Sequence, residues 1–276
     1  MPELPEVEYV ARQLRAELVG RTIIAASVDW PRTVAPLEPD EFRARLVGAR
    51  VTAIRRRGKY LLIELSGGDT LLVHRRMSGN LVFSRAGETV AYARVSLELD
   101  DGRRVVFSDP RKFGRLSLAA TSDVPQTLGA LGPEPLDDAF TASALAERLA
   151  RQGRAIKAVL LEQSIVAGLG NIYADEALFR AGIHPTRPAR GLLPGEIMAL
   201  RDGIRHVLRT GIEHGGTTFG RHRDVFNEAG TNVEHLLVYR RTGQPCLRCG
   251  TPIQRMVVAQ RGTHFCPRCQ PPRSDS

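Results

Sequence analysis

Two Cys-x2-Cys pairs, Cys246/Cys249 and Cys266/Cys269, stand 16 residues apart and constrain this chain more than any other feature. Four thiolates at that spacing can surround one zinc ion tetrahedrally. They take all four positions on the metal, so the ion is structural and has no open position for catalysis. The intervening residues run out and back, which predicts a β-hairpin with Arg255 and Arg261 on its inner segment. So short a segment has little core of its own and should unfold without the metal. Disulfides are disfavoured, because acidic residues follow Met1 at once and no secretory signal is read there. The expected compartment is the cytoplasm.

Charge points the same region toward a polyanion. The formal net charge is +9, and residues 240–276 alone carry seven Arg against one Asp. Nucleic acid is the expected partner of such a surface, although a basic tail can also be merely solvated. Hydrophobic residues make up 42% and charged residues 25% of the chain, enough for a buried core. No apolar run reaches the roughly 18 residues of a membrane span.

The N-terminus offers chemistry. Pro2 is small, so Met1 is expected to be removed, leaving a proline with a free secondary amine. An α-amine has a pKa of about 8, and a useful fraction is unprotonated at neutral pH. Such an amine can attack a sugar aldehyde carbon and give an iminium, a covalent electron sink. Glu3 and Glu6 are close enough in sequence to move protons. Read alone, the same residues are also an ordinary helix start, with Pro5 in the first turn and Glu6 at its positive end. Val7, Val10, Ala11, Leu14 and Leu18 have helical spacing, and Gly20 is a stop.

From about residue 22 to 119 the pattern is of short strands and tight turns, Gly67-Gly68 and Asp101-Gly102 among them. An antiparallel sandwich or barrel is expected, with a helix over about 40–46. Three segments there carry unusual chemistry. Arg55-Arg56-Arg57-Gly58-Lys59 sets a lysine at a strand start in a dense positive field, suited to phosphate or simply to solvent. His74-Arg75-Arg76-Met77 ends a strand with a basic cluster. Asp109-Pro110-Arg111-Lys112-Phe113 is a turn. Taken singly, Met77 and Phe113 are ordinary core residues. A Met, an Arg and a Phe on neighbouring loops could instead wedge into a duplex and fill the gap left by an extruded base.

Residues 121–137 read as a linker rich in Pro and Gly. Helices are expected over about 142–151, 154–163, 171–181 and 194–214, with Thr141 and Asn171 as N-caps. The glycine turn Gly168-Leu169-Gly170 before Asn171 leaves backbone amides free for phosphate. Residues 215–235 are polar and without periodicity.

Taken together these residues resemble the bacterial formamidopyrimidine-DNA glycosylases, with endonuclease VIII as close kin. The resemblance rests on Pro2-Glu3-Leu4-Pro5-Glu6-Val7-Glu8, on Gly168 to Glu176 and on Gln260-Arg261-Gly262-Thr263 before Cys266, and it covers the whole chain. It implies an α+β multidomain fold: an N-terminal antiparallel β-sandwich flanked by helices over 1–120, the linker 121–137, a helix-two-turn-helix domain over 138–235, a four-cysteine zinc-finger β-hairpin over 236–270 and a tail, 271–276. Double-stranded damaged DNA would lie in a cleft, bound by a monomer. Pro2 would be the nucleophile and Glu3 the proton donor and acceptor, with Glu6 in support. Lys59 would assist β-elimination and Arg261 δ-elimination. His74, Arg154 and Asn171 would contact DNA. Met77, Arg111 and Phe113 would fill the void, Arg111 facing the orphaned cytosine. Tyr92 and Arg94 stand where the family has a His-x-His pair, and Tyr92 is assigned to DNA. One structural zinc is implied, and the reaction needs no small-molecule cofactor. Oxidised purines are the implied lesions; an endonuclease VIII-like preference for oxidised pyrimidines and a non-catalytic zinc-dependent DNA-binding protein are the alternatives.

Overall fold

The computed structural model of the chain describes residues 1–85, 87–220 and 222–272. Of the expected tail, residues 273–276 lie outside them. The chain divides into two compact units, one of Met1–Gly129 with His214–Val233, the other of Ala130–Glu213 with Glu234–Ser276. The segment 214–233, read from sequence as part of the helical domain, therefore packs with the first unit.

The first unit opens with α1 (Leu4–Leu18), whose apolar stripe Leu4, Val7, Val10, Ala11, Leu14 and Leu18 is buried. After β1 (Ile23–Val28) and α2 (Pro39–Leu46) come seven strands: β2 (Val51–Arg57), β3 (Tyr60–Leu65), β4 (Asp69–His74), β5 (Asn80–Arg85), β6 (Ala93–Leu99), β7 (Arg103–Ser108) and β8 (Arg115–Ala120). They form two four-stranded antiparallel sheets, ordered β1-β6-β7-β5 and β2-β3-β4-β8. The sandwich rather than the barrel is therefore realised. Its core joins the α1 stripe to Ile54, Leu61, Ile63, Leu71 and Val73 of one sheet and to Leu81, Val95, Leu97, Val105 and Phe107 of the other. Among its described residues the 214–233 segment has no helix or named strand before Asn232, yet several backbone bonds hold it. Thr231 N donates to His214 O at 2.8 Å, Asp224 N to Glu228 O at 3.0 Å, and Phe83 N of β5 to Val225 O at 2.9 Å.

The expected linker 121–137 is partly helical: a 3-10 turn at Thr121–Asp123 runs into α3 (Val124–Thr127). The second unit then holds α4 (Ala142–Leu149), α5 (Ile156–Leu160), α6 (Asn171–Ala181) and α7 (Pro194–Glu213). Thr141 caps α4 as expected, accepting from Ala144 N at 3.1 Å. The helix expected over 154–163 shrinks to the five residues of α5. Helices α6 and α7 approach closely where α7 carries glycine: a Cβ at Gly211 would meet the Tyr173 hydroxyl at 2.6 Å. The unit ends in a hairpin of β9 (Gln254–Val258) and β10 (Arg261–Phe265). Its two-residue turn, Ala259-Gln260, has positive φ at both positions, the geometry that matches strand twist in a two-residue hairpin. Among the described residues, no helix is long and apolar enough to cross a membrane.

Candidate active site

The start of α1 is buried and fixed. Pro2, Glu3 and Glu6 are buried, and Glu3 and Glu6 form a reciprocal capping box in which Glu3 N donates to Glu6 Oε2 at 2.7 Å. The other oxygen, Glu6 Oε1, accepts from Thr217 N at 2.7 Å. A Cβ at Gly216 would strike Glu6 Cγ at 2.7 Å, so only glycine lets the 214–233 segment come this close. Glu6 is thereby a bracket joining the N-terminus to that segment, in keeping with a supporting part.

The terminal amine, carried on Met1 in this chain, lies in the field of Glu3, Glu6, Lys59 and Arg75. Burial is the largest influence on it and lowers its pKa, while the two carboxylates pull upward and the two cations downward. The net direction is down, which enlarges the neutral, nucleophilic fraction. Lys59 is buried in the Gly58-Lys59 turn between β2 and β3. Glu8 of α1 holds Arg56 at 3.0 Å, and Arg56 Nη1 donates to Gly58 O at 3.1 Å. Helix α1 and the turn bearing Lys59 are thus tied through the Glu8–Arg56 ion pair.

His74 pairs across the ladder with Tyr60, the residue after Lys59, and their rings meet edge to face at 4.6 Å. Arg76 N donates to His74 Nδ1 at 3.1 Å, so the neutral ring carries its proton on Nε2, free to donate to a phosphate oxygen. Burial, with Arg76 and Lys59 nearby, holds its pKa down to about 4. His222, in the 214–233 segment, is pushed down to about 3 by burial, Arg75 and the N-terminal amine. Both fold neutral. As pH falls below about 6.5 the unfolded chain takes protons that the folded chain refuses, so stability is lost from there down through about 4 and 3. We expect the first unit's melting temperature to drop steadily from pH 7 to pH 4, and His74→Gln to flatten that slope; equal slopes would contradict the assignment.

Met77, Tyr92, Arg111 and Phe113 are exposed, so the core reading of Met77 and Phe113 does not hold. The Arg111 guanidinium lies 4.8 Å from the Phe113 ring centroid. Tyr92 stands beside the same turn, its carbonyl accepting from Asp109 N at 3.0 Å.

The second unit brings Asn171 and Arg261 together. Gly170, not Asn171, is the N-cap of α6. Asn171 is the first helical residue, and its Nδ2 donates to Gly262 O at 3.0 Å, next to the exposed Arg261. The same stretch of β10 is held by Lys157 and Asp175, both fully buried and 2.6 Å apart. Lys157 Nζ donates to Thr263 Oγ1 at 2.8 Å, and His264 N to Asp175 Oδ2 at 2.8 Å. Arg154 is exposed, pairs with Glu162 and bonds Gln152 Oε1 at 3.0 Å.

The four cysteine Sγ atoms lie within 4.8 Å of one another, with Cys249 to Cys266 at 3.5 Å and Cys246 to Cys269 at 3.9 Å. Tetrahedral Zn–S bonds of about 2.3 Å separate sulfurs by about 3.8 Å, so the set fits one structural zinc.

Sequence reasoning missed two buried hubs. Arg75 is only 2% exposed, and its guanidinium bonds Gly79 O, Asn80 Oδ1 and Arg223 O at 2.9, 2.6 and 3.0 Å. Gly79 and Asn80 are near it in sequence, but Arg223 is 148 residues away, and a basic run gives no sign that one of its cations is buried. Asp109 is wholly buried. A Ser-Asp-Pro turn was its only local sign.

Comparison with known proteins agrees with this architecture. Residues 1–116 match the formamidopyrimidine-DNA glycosylase N-terminal domain, 131–222 the H2TH domain of the same proteins, and 243–272 a zinc finger found in FPG and IleRS. The formamidopyrimidine-DNA glycosylase of Herpetosiphon aurantiacus is 51% identical over 272 residues, covering 98% of this chain and 100% of its own. Lactococcus lactis Fpg has been solved with abasic-site DNA, with N7-benzyl-Fapy-dG DNA and with oxidised-pyrimidine DNA. Each superposes with a TM-score of 0.92 at 37%, 38% and 37% identity, covering 98% of this chain and 100% of that one. An amine-terminated helix on a β-sandwich, a helix-two-turn-helix and a four-cysteine hairpin, matched in order along the full length, place this chain in the formamidopyrimidine-DNA glycosylase family.

Proposed function

We propose that this chain is a bifunctional DNA glycosylase and abasic-site lyase that acts as a monomer on oxidised purines in double-stranded DNA, chiefly 8-oxoguanine opposite cytosine and formamidopyrimidines. The observation that carries the reading is the buried Pro2 before α1, between a half-exposed Met1 and the buried Glu3 and Glu6, with the terminal amine in the field of Glu3, Glu6 and Lys59.

With Met1 removed, the Pro2 nitrogen attacks C1′ of the damaged nucleotide. The N-glycosidic bond breaks, the attacking nitrogen gives up its proton, and the base leaves carrying a proton, so that the nitrogen has its lone pair again. Glu3 protonates the ring oxygen, the sugar opens, and the nitrogen lone pair completes an iminium. The iminium acidifies C2′–H. A base removes that proton and the 3′ phosphate leaves, with Lys59 placed to meet its charge. Loss of a further proton lets the 5′ phosphate leave, the step assigned to Arg261. Water then hydrolyses the remaining iminium, releasing the sugar fragment and restoring the amine. His74, Asn171, Arg154 and Tyr92 hold the DNA. The zinc ion, when bound to Cys246, Cys249, Cys266 and Cys269, supplies structure only.

A second reading keeps the same chemistry on oxidised pyrimidines, since an oxidised-pyrimidine DNA is bound in one Lactococcus lactis Fpg structure. Leu4, Arg111 and Phe113 favour purines. Matched duplexes bearing 8-oxoguanine or thymine glycol separate the two under borohydride trapping. We expect faster excision and a Pro2 adduct with 8-oxoguanine. Faster processing of thymine glycol would reverse the lesion class, and an adduct elsewhere would remove Pro2 as nucleophile.

A further inference from the structure

We propose that Asp109 is a positioning residue that locks the Met77 loop and the Arg111–Phe113 loop into one preformed wedge. The proposal rests on the reading of Met77, Arg111 and Phe113 as the groups that fill the space of an extruded base.

The two loops come from different places in the chain, one after β4 and the other between β7 and β8. Asp109 has no exposed surface. Its Oδ1 accepts from Ser78 Oγ at 2.5 Å and Arg111 N at 3.1 Å. Its Oδ2 accepts from Phe113 N at 2.8 Å and Gly114 N at 2.7 Å. One carboxylate therefore gathers the residue after Met77 and the backbone of both Arg111 and Phe113. The Phe107 ring closes the junction from below. A Cβ at Gly79 would meet it at 2.6 Å and one at Gly114 at 2.3 Å, so glycine on each loop permits the same ring to sit against both.

Each loop also stores backbone strain beside the residue it exposes. Arg76, before Met77, has φ 52°, and Lys112, between Arg111 and Phe113, has φ 59°. Non-glycine residues hold such angles only where their surroundings impose them. Asp109 supplies that constraint around Lys112, bonding the amides on either side of it. Met77 and Phe113 stay exposed as a result, instead of folding back onto apolar neighbours. A wedge held ready in this way loses less freedom when it enters the duplex.

Asp109→Asn is the test. Whichever way the amide turns, its NH2 faces at least one backbone N–H, so one loop is released. Single-turnover excision of 8-oxoguanine opposite cytosine should fall on the order of 10²-fold, the cost of misplacing a positioned group by about 1 Å. The brightening of 2-aminopurine beside the lesion should fall with it. Borohydride trapping on a single-stranded abasic oligonucleotide, which has no orphaned partner to wedge, should persist. A merely structural role would depress both substrates alike, and that result overturns the proposal. Met77→Ala, Arg111→Ala and Phe113→Ala are run alongside. If these lose excision while Asp109→Asn keeps it, the clasp is wrong. If none of them loses excision, the wedge reading itself fails, and the clasp with it. Should Asp109→Asn not fold, Ser78→Ala removes one bond of the clasp and should cost about fivefold on the duplex alone. Full duplex activity in that variant overturns the proposal.

Discussion

A chain that keeps a formylated Met1 will give no borohydride adduct and will lose base excision by on the order of 10³-fold or more, the scale of removing a covalent nucleophile. In that chain the Pro2 nitrogen is an amide whose lone pair is delocalised, and no free amine replaces it. The fold gives no reason for a general defect, because Met1 itself is half exposed and α1 packs through Leu4, Val7 and the residues beyond. Melting temperature and duplex affinity should therefore stay near those of the processed chain. Pro2→Gly sharpens the result. It keeps an N-terminal amine, now primary, and should retain part of the activity, with the adduct moved to Gly. The pH profile follows from the amine's need to be unprotonated when it attacks. Excision should fall as pH drops and the amine protonates. Unimpaired excision by the formylated chain would exclude amine catalysis here.

Much of this was legible in the sequence because the signals were local. The α1 stripe, the hairpin turns, the Thr141 cap and the cysteine spacing each depend on neighbours a few residues apart. The misreadings share the opposite property. Asn171 has the chemistry of an N-cap, but a tertiary partner, Gly262 O, takes its side-chain amide, and Gly170 becomes the cap. Met77 and Phe113 each look like core residues when read singly, yet both are exposed, on loops joined through Asp109, whose bonds reach back to Ser78. The segment 214–233 lacks periodicity because its order comes from backbone bonds to Glu6, Arg75 and β5 rather than from any repeating face. Arg75 reads as one more cation in a basic run, yet it is buried and pulled down to about 10 by that burial. Long-range satisfaction of polar groups leaves no periodic trace.

The zinc site gives the second large effect, and the structure divides it into parts. Cys249→Ser, or removal of the metal by a chelator, should lose the zinc and weaken duplex binding about ten- to a hundredfold, the worth of one charge-assisted phosphate contact at roughly 1.5–3 kcal/mol. The hairpin is anchored at two ends by different means. Its cysteine end shares a small apolar cluster with Phe179, Val238 and Ile253, too little to close the loops without metal. Its Arg261 end is held by Asn171 and by the buried Lys157–Asp175 pair. Amide exchange should therefore accelerate first around Cys246–Gly250 and Cys266–Gln270, while the turn before Arg261 loosens less. The first unit has its own core, drawn entirely from residues before Gly129 and from Val225, and should keep its melting transition. Trapping on a single-stranded abasic oligonucleotide should persist for the same reason. A Cys249→Ser chain that still carries one equivalent of zinc would contradict the four-thiolate site. A chain that loses the metal yet binds duplex as before would show that Asn171 and the Lys157–Asp175 pair suffice to present Arg261.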